Sequence, residues 1–393
     1  MKKRRVLVAH PYLHPSGGGN VVAAWALQAL RDEFDVTLAT LGPVDCAALN
    51  RNFGTSLTDR DFTIRIAPAG YRLALRALPT RGALMQMSAL MRWARALDSR
   101  ALDGREHFDV LFGTQNETDF GRPGIQYVHY PWVYLPRPDA EMLWYHHIPG
   151  FLPLYRGLCQ TLSGSSNDGL RRNLSLANSE FVVGKIREIH GLESEGVVAE
   201  IVYPPVPGSF PETPWAQRRA AVVAVGRMHE IKRWEMAVEV LDLVRRQGLE
   251  LGLTLIAAPE QPAYGKRMAS LAASRPWFRI LSDISRDELA REVASHRYGI
   301  HTMENEHFGI APAELLQAGC IPFVHDSGGP VEIVGGRREL RFSDARDAAA
   351  KLATVVQSPA LESELRHVLA LRRDAYSAEK FTESIRRIVR EYR

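Results

Sequence analysis

The chain has 393 residues, 46% hydrophobic and 24% charged, with a net charge of +4 at pH 7 and three cysteines. That length exceeds one ordinary core and predicts two domains, while the composition excludes a disordered chain and a disulfide scaffold. The modest charge gives no reason to expect a nucleic-acid partner, and Cys46, Cys159 and Cys320, without metal-ligand spacing, predict a reducing, cytoplasmic setting.

The basic start Met1–Arg5 is followed by only Val6–Ala9 before His10-Pro11, too short for the apolar stretch of a signal peptide. No run approaches the roughly 18 apolar residues of a membrane span. Val6–Ala9 reads as a buried parallel strand, followed by a glycine-rich loop, a helix over Val21–Arg31 and a strand over Val36–Thr40. Thr63–Ile66, Val110–Phe112, Ile125–Val128, Leu174–Ala177 and Val197–Tyr203 complete the strands of a first domain, 1–203. The prolines of 204–215 oppose both helix and sheet and predict a linker. A second series covers Ala220–Val225, Leu253–Ala257, Phe278–Leu281, Tyr298–Thr302 and Ile321–Val324, a second domain over 216–378. The pattern predicts an α/β protein of two Rossmann-like, doubly wound domains facing across a cleft. An amphipathic helix over 379–393 ends the chain.

Between Gly70 and Leu97 the chain carries five arginines and no Asp or Glu, interleaved with Leu, Met and Trp93. This composition predicts either peripheral binding to an anionic membrane or a helix packed on the first domain with solvated arginines.

The chemistry gathers in the second half. Glu306 and Glu314 lie eight positions apart, with Phe308-Gly309-Ile310 between them and Pro312 placed for a first helical turn that Gly319 can close. The unit is strand, loop and helix start, so backbone N–H groups near Gly309, Ile310 and Ala311 are set to face an anion. Carboxylates for hydroxyls beside amides for phosphate suit a sugar nucleotide. Gly226-Arg227 follows the first strand of the second half, with Lys232 five residues on, and two cations there can neutralise a diphosphate. Gly17-Gly18-Gly19 after the first strand lets backbone approach a ligand, and His129 closes an apolar strand. Asp59-Arg60-Asp61 precedes its strand candidate and reads as a solvated turn rather than a metal motif.

The Glu-x7-Glu element resembles the donor-site signature of glycosyltransferase family 4, retaining enzymes of the GT-B fold. The string His301–Ile310, with His325–Pro330, His10-Pro11-Tyr12 and Tyr127–Pro131, is similar to the branch that adds α-1,2-mannose to dolichol-linked oligosaccharide. The resemblance implies a metal-independent hexosyltransferase without cofactor, using GDP-mannose or a UDP- or ADP-hexose, and a glycan or polyprenyl-linked acceptor. It assigns catalytic roles to Glu306, His129, Arg227 and Lys232. On the donor side it puts Gly17, Gly18, Gly19, Gly226, Ile284, Phe308, Gly309, Ile310 and Glu314, with Glu314 on the ribose. It also implies that the last helix packs back on the first domain. Asn20 stands where the family usually has Glu after the glycines. A phosphorylase, a sugar-nucleotide epimerase and a non-catalytic sugar-nucleotide-binding subunit share the same cradle and remain alternatives.

Overall fold

The computed structural model describes residues 3–14, 17–70, 83–99, 107–131, 147–190, 199–206 and 209–393. The chain divides into two compact units, Met1–Pro205 with Ala378–Arg393, and Val206–Ser377.

The first unit holds β1 (Arg5–Ala9), β2 (Asp35–Thr40), β3 (Thr63–Ile66), β4 (Val110–Gly113), β5 (Ile125–Val128), β6 (Leu174–Ala177) and β7 (Ala199–Ile201). They pair in parallel in the order β3-β2-β1-β4-β5-β6-β7. Val6, Leu7, Val8 and Ala9 are all 0% exposed, which explains why β1 shows no polar alternation. The winding reverses beside β1, where Leu7 lies opposite Thr37 on one side and Leu111 on the other. Ligands of such sheets bind at the carboxyl ends of the strands at this reversal.

The helix Ala83–Ser99 decides between the two readings of the arginine-rich stretch. Met87, Leu90, Met91, Ala94 and Leu97 are buried in one cluster with Leu7, Ala39 and Leu111 of the sheet. Arg95 forms an ion pair with Asp119 at 2.7 Å and donates to the Gly164 carbonyl at 2.6 Å. The apolar side of this helix is therefore committed to the protein core, and the packed-helix reading holds for 83–99. The part of that stretch at 71–82 lies outside the described residues.

The final helix Ala378–Glu391 buries Phe381, Ile385, Ile388 and Val389. Arg386 Nε donates to the Ala29 carbonyl at 2.6 Å, and the Phe381 ring meets Tyr127 edge-on at 6.4 Å. Its hydrophobic face thus completes the first unit, although the chain has by then passed through the second.

The second unit holds β8 (Arg219–Arg227), β9 (Leu253–Ala258), β10 (Phe278–Leu281), β11 (His296–His301), β12 (Ile321–His325) and β13 (Arg341–Phe342). All pairs are parallel, in the order β10-β9-β8-β11-β12-β13. The winding reverses between β8 and β11, whose carboxyl ends lead into the Arg227 and Glu306 loops. The two-residue edge strand β13 is absent from the sequence reading, because so short a segment has no periodicity to read.

Candidate active site

The second unit builds its cluster where β11 gives way to the helix Ile310–Gln317. Gly309 precedes that helix at φ +99°, a conformation that side chains rarely adopt, and a Cβ there would press on Pro330 and Pro312 at 3.0 and 3.1 Å. Glycine therefore allows the loop to turn into the helix. No side chain caps the helix start, so the N–H groups of Ile310 and Ala311 keep no intrahelical acceptor and point out of the helix end. Pro312 is the third helical residue, inside the first turn as read from sequence.

Lys232 and Glu306 meet. Lys232, at the end of the short turn Glu230–Lys232, places Nζ 2.5 Å from Glu306 Oε2 and 3.3 Å from Met303 Sδ. Thr302 Oγ1 donates to the Lys232 carbonyl at 2.5 Å, tying the two loops together at the backbone. Burial alone would raise the Glu306 carboxyl. The Lys232 ammonium, with His301 beside it, outweighs that and holds the carboxyl well below its usual range. Glu306 is therefore a carboxylate across the working pH range of most enzymes.

A second loop holds Glu306 from the other side. Gly329 N donates to the Glu306 carbonyl at 2.9 Å, and Asn305 N donates to Ser327 Oγ at 2.7 Å. Gly328, at φ +74°, leaves no room for a Cβ, which would lie 2.2 Å from the Glu306 carbonyl oxygen. The string His325–Pro330, noticed in sequence only as part of a resemblance, thus fixes the path of the Glu306 loop.

Glu314, on the same helix, is 5% exposed, and Arg286 Nη1 donates to its Oε1 at 2.5 Å. The Arg286 guanidinium also lies 5.5 Å from the Phe210 ring centroid. Ile284, an expected donor contact, packs with Phe210 and Ala311 in the same apolar cluster. Phe308 is 3% exposed and its ring lies 5.8 Å from that of Tyr376, so the side chain is a core group. Sequence reading missed Arg286, since nothing local marks it as the partner of a residue 28 positions away.

Arg227 takes a different place. It ends β8 with its side chain 59% exposed and pairs with Glu260 at 2.7 Å, not with either carboxylate of the helix unit. Gly226 stands where a Cβ would lie 2.9 Å from Trp234, so it allows that indole to close over the strand end and donate to the Arg227 carbonyl at 3.1 Å.

The first unit has its own polar cluster beyond β1, β4 and β5. Gly17 turns at φ +93° into the helix Gly18–Leu30. A Cβ at Gly19 would lie 2.6 Å from Gln115 Oε1 and 3.5 Å from His129 Nε2, which brings the glycine loop and His129 together. His129 Nε2 lies 3.1 Å from the Thr114 carbonyl, so that nitrogen carries the hydrogen. Asn116, at φ 59°, accepts from the backbone N–H of His129 at 2.7 Å and of Tyr130 at 3.0 Å. Asn20 Oδ1 lies 2.8 Å from His10 Nε2. Burial is the main cause that lowers His10 to about 4, so a neutral amide partners a neutral ring there. Asp61 of the Asp-x-Asp sequence accepts from Thr58 N at 2.7 Å and from Arg31 at 3.3 Å, which makes it a turn residue.

Residues 208–370 match the family model of glycosyl transferases group 1. Among curated relatives, GDP-Man:Man(3)GlcNAc(2)-PP-Dol alpha-1,2-mannosyltransferase of Candida glabrata is 28% identical over 196 residues, 44% of this chain and 38% of the relative. Its counterpart in Eremothecium gossypii is 25% identical over 250 residues, 56% of this chain and 41% of the relative. The human counterpart is 28% identical over 185 residues, 43% and 36%. The chain thus spans well under half the length of these relatives. Among solved structures, WaaG, a glycosyltransferase involved in lipopolysaccharide biosynthesis, superposes with a TM-score of 0.65 at 11% identity, over 98% of this chain and 100% of that one. Anabaena HepE in complex with UDP and glucose gives 0.62 at 12% identity, over 98% and 99%. The sucrose-phosphate synthase of Thermosynechococcus elongatus gives 0.67 at 14% identity, over 99% of each chain. The fold is thus that of the GT-B glycosyltransferases, and the residues that match glycosyl transferases group 1, 208–370, lie in the second unit.

Proposed function

We propose that the chain is a retaining, metal-independent glycosyltransferase that moves a hexose from a nucleotide sugar onto a hydroxyl of a glycan or lipid-linked glycan. The observation that carries this reading is the meeting of the Lys232–Glu306 pair with an uncapped helix start that also bears Glu314. Mannose from GDP-mannose is the donor, and a polyprenyl-diphosphate-linked glycan the acceptor class, because the relatives' names carry both.

In this reading Glu314 accepts the ribose hydroxyls and Glu306 lies against the transferred sugar. The N–H groups at Gly309 and Ile310, with Lys232 and Arg227, hold the diphosphate. Lys232 has three N–H donors and can divide them between Glu306 and a phosphate oxygen. As the bond from C1 to the diphosphate breaks, negative charge gathers on the leaving oxygen, where these cations and amides stabilise it. The acceptor oxygen bonds to C1 on the face the diphosphate leaves. Its proton passes to the departing phosphate, and the nucleoside diphosphate departs. Lys232 and Arg227 take the part that a divalent cation plays in other transferases.

Among the described residues no helix is long and apolar enough to cross a membrane. We place the protein in the cytoplasm, at the inner face of the membrane that presents a lipid-linked acceptor, since the relatives' names carry such an acceptor. The test is incubation with GDP-mannose, a mannosylated lipid-linked acceptor and excess EDTA. The expected product is an α-linked mannosyl extension. Strict dependence on added Mg or Mn, or release of mannose 1-phosphate or epimerised donor without acceptor, would move the chain to another reaction class.

A further inference from the structure

His301 ends β11, immediately before the Glu306 loop, and is 1% exposed. The transfer reading above gives it no task. Burying an imidazole without hydrogen bonds is costly. Yet both ring nitrogens are closed off from solvent, and neither makes a well-formed hydrogen bond among the described residues. The nearest acid is Glu306, with His301 Nε2 3.4 Å from Oε2. Lys232 Nζ reaches that same oxygen at 2.5 Å. Oε1, the other oxygen of Glu306, makes no hydrogen bond or ion pair among the described residues, and the side chain keeps 18% of its surface exposed. The Lys232 ammonium and an imidazole nitrogen thus stand beside one oxygen of the carboxylate while the other stays available.

We propose that His301 is a positioning residue for Glu306: its Nε2–H and the Lys232 ammonium hold Oε2, and together they aim Oε1 at the sugar of the donor. A single lysine amine on a flexible stem sets a distance but not the plane of a carboxylate. A second donor from a packed strand end sets the plane, and precise orientation of a group against the reacting sugar is a kcat effect. The imidazole serves in its neutral form. Burial is the main cause holding it below its ordinary range, and Lys232 adds to that although Glu306 pulls the other way. The nitrogen that faces the carboxylate carries the hydrogen. His301 contributes orientation and transfers no proton.

This inference rests on the transfer reading, and the experiment separates the two. Donor turnover is measured for wild type, His301→Gln, His301→Phe and His301→Asn, each with its Tm. Glutamine can place an N–H where imidazole Nε2 stood. Phenylalanine keeps a ring without one, and the shorter asparagine keeps an N–H that falls short of Oε2. His301→Phe and His301→Asn should lower kcat by about tenfold, the scale of one charge-assisted hydrogen bond, with donor KM changed by less than about twofold. His301→Gln should recover most of kcat. A role in packing alone predicts the reverse order, with phenylalanine tolerated and glutamine, polar and buried, the worse. That order, or equal activity of all three, would overturn the proposal. A wild-type protein that neither turns over nor is stabilised by any nucleotide sugar would remove the transfer reading instead.

Discussion

Glu306 and Glu314 look alike in sequence but stand in different surroundings. Glu306 is gripped by Lys232 and keeps one oxygen open, whereas Glu314 is 5% exposed and bound by Arg286. A group on the ribose binds ground and transition states alike, while a group on the reacting sugar acts chiefly as its C1 bond breaks. Glu314→Gln should therefore raise donor KM with kcat nearly kept, and Glu306→Gln should lower kcat with KM nearly kept. Steady-state kinetics on both variants checks this division, and equal loss of donor affinity in both would show it to be wrong. The two carboxylates, the glycines and Lys232 were legible because a strand, a loop and a helix start lie in one continuous stretch or directly after a strand. Arg286 and the link from His301 to Glu306 were not. The first joins residues 28 positions apart, and the second depends on how a loop folds back on its own strand.

At the level of elements, two glycines carry unequal demands although their backbones look the same. Gly328 and Gly336 have φ of +74° and +67°. A Cβ at Gly336 meets nothing within 4 Å, whereas at Gly328 it meets the Glu306 carbonyl oxygen at 2.2 Å and the Glu306 nitrogen at 2.9 Å. Alanine at either position should cost about 1 kcal/mol of stability through the left-handed backbone. Only Gly328→Ala must also displace the Glu306 loop, and it should lower kcat/KM by about tenfold or more while Gly336→Ala leaves it near wild type. Thermal melts and donor kinetics on the pair check this, and equal activity would mean that the Ser327–Pro330 loop does not position Glu306. Most strands of both sheets could be read from sequence, since helices cover both sheet faces and leave continuous apolar runs such as Val6–Ala9. The arginine-rich helix Ala83–Ser99 could not be resolved in the same way. Burial against a core and burial in lipid select the same side chains, and only the packing of Met87, Leu90 and Met91 on the sheet separates them.

Over the whole molecule, the chain repeats one plan twice, with each parallel sheet placing polar residues at the carboxyl ends of strands beside its winding reversal. The sequence carries this as two βα series with a proline-rich break near 204–215, and the units separate at Pro205. Its last helix belongs to the first unit, a placement that amphipathicity alone does not show because any apolar surface would satisfy it. Phe381 against Tyr127, and Arg386 on the Ala29 carbonyl, supply the missing partner. The central claim is that the second unit's cradle holds a nucleotide sugar without metal. It is tested most directly by Tm in excess EDTA against a panel of GDP, UDP, ADP and dTDP sugars. A ligand at a hundred times its Kd stabilises the folded chain by about 2.7 kcal/mol, so one nucleotide family should raise Tm by several degrees, GDP-mannose foremost. The same ligand at the same concentration should give a much smaller shift with Glu314→Gln. No shift with any nucleotide sugar in EDTA, or an undiminished shift in that variant, would contradict the account.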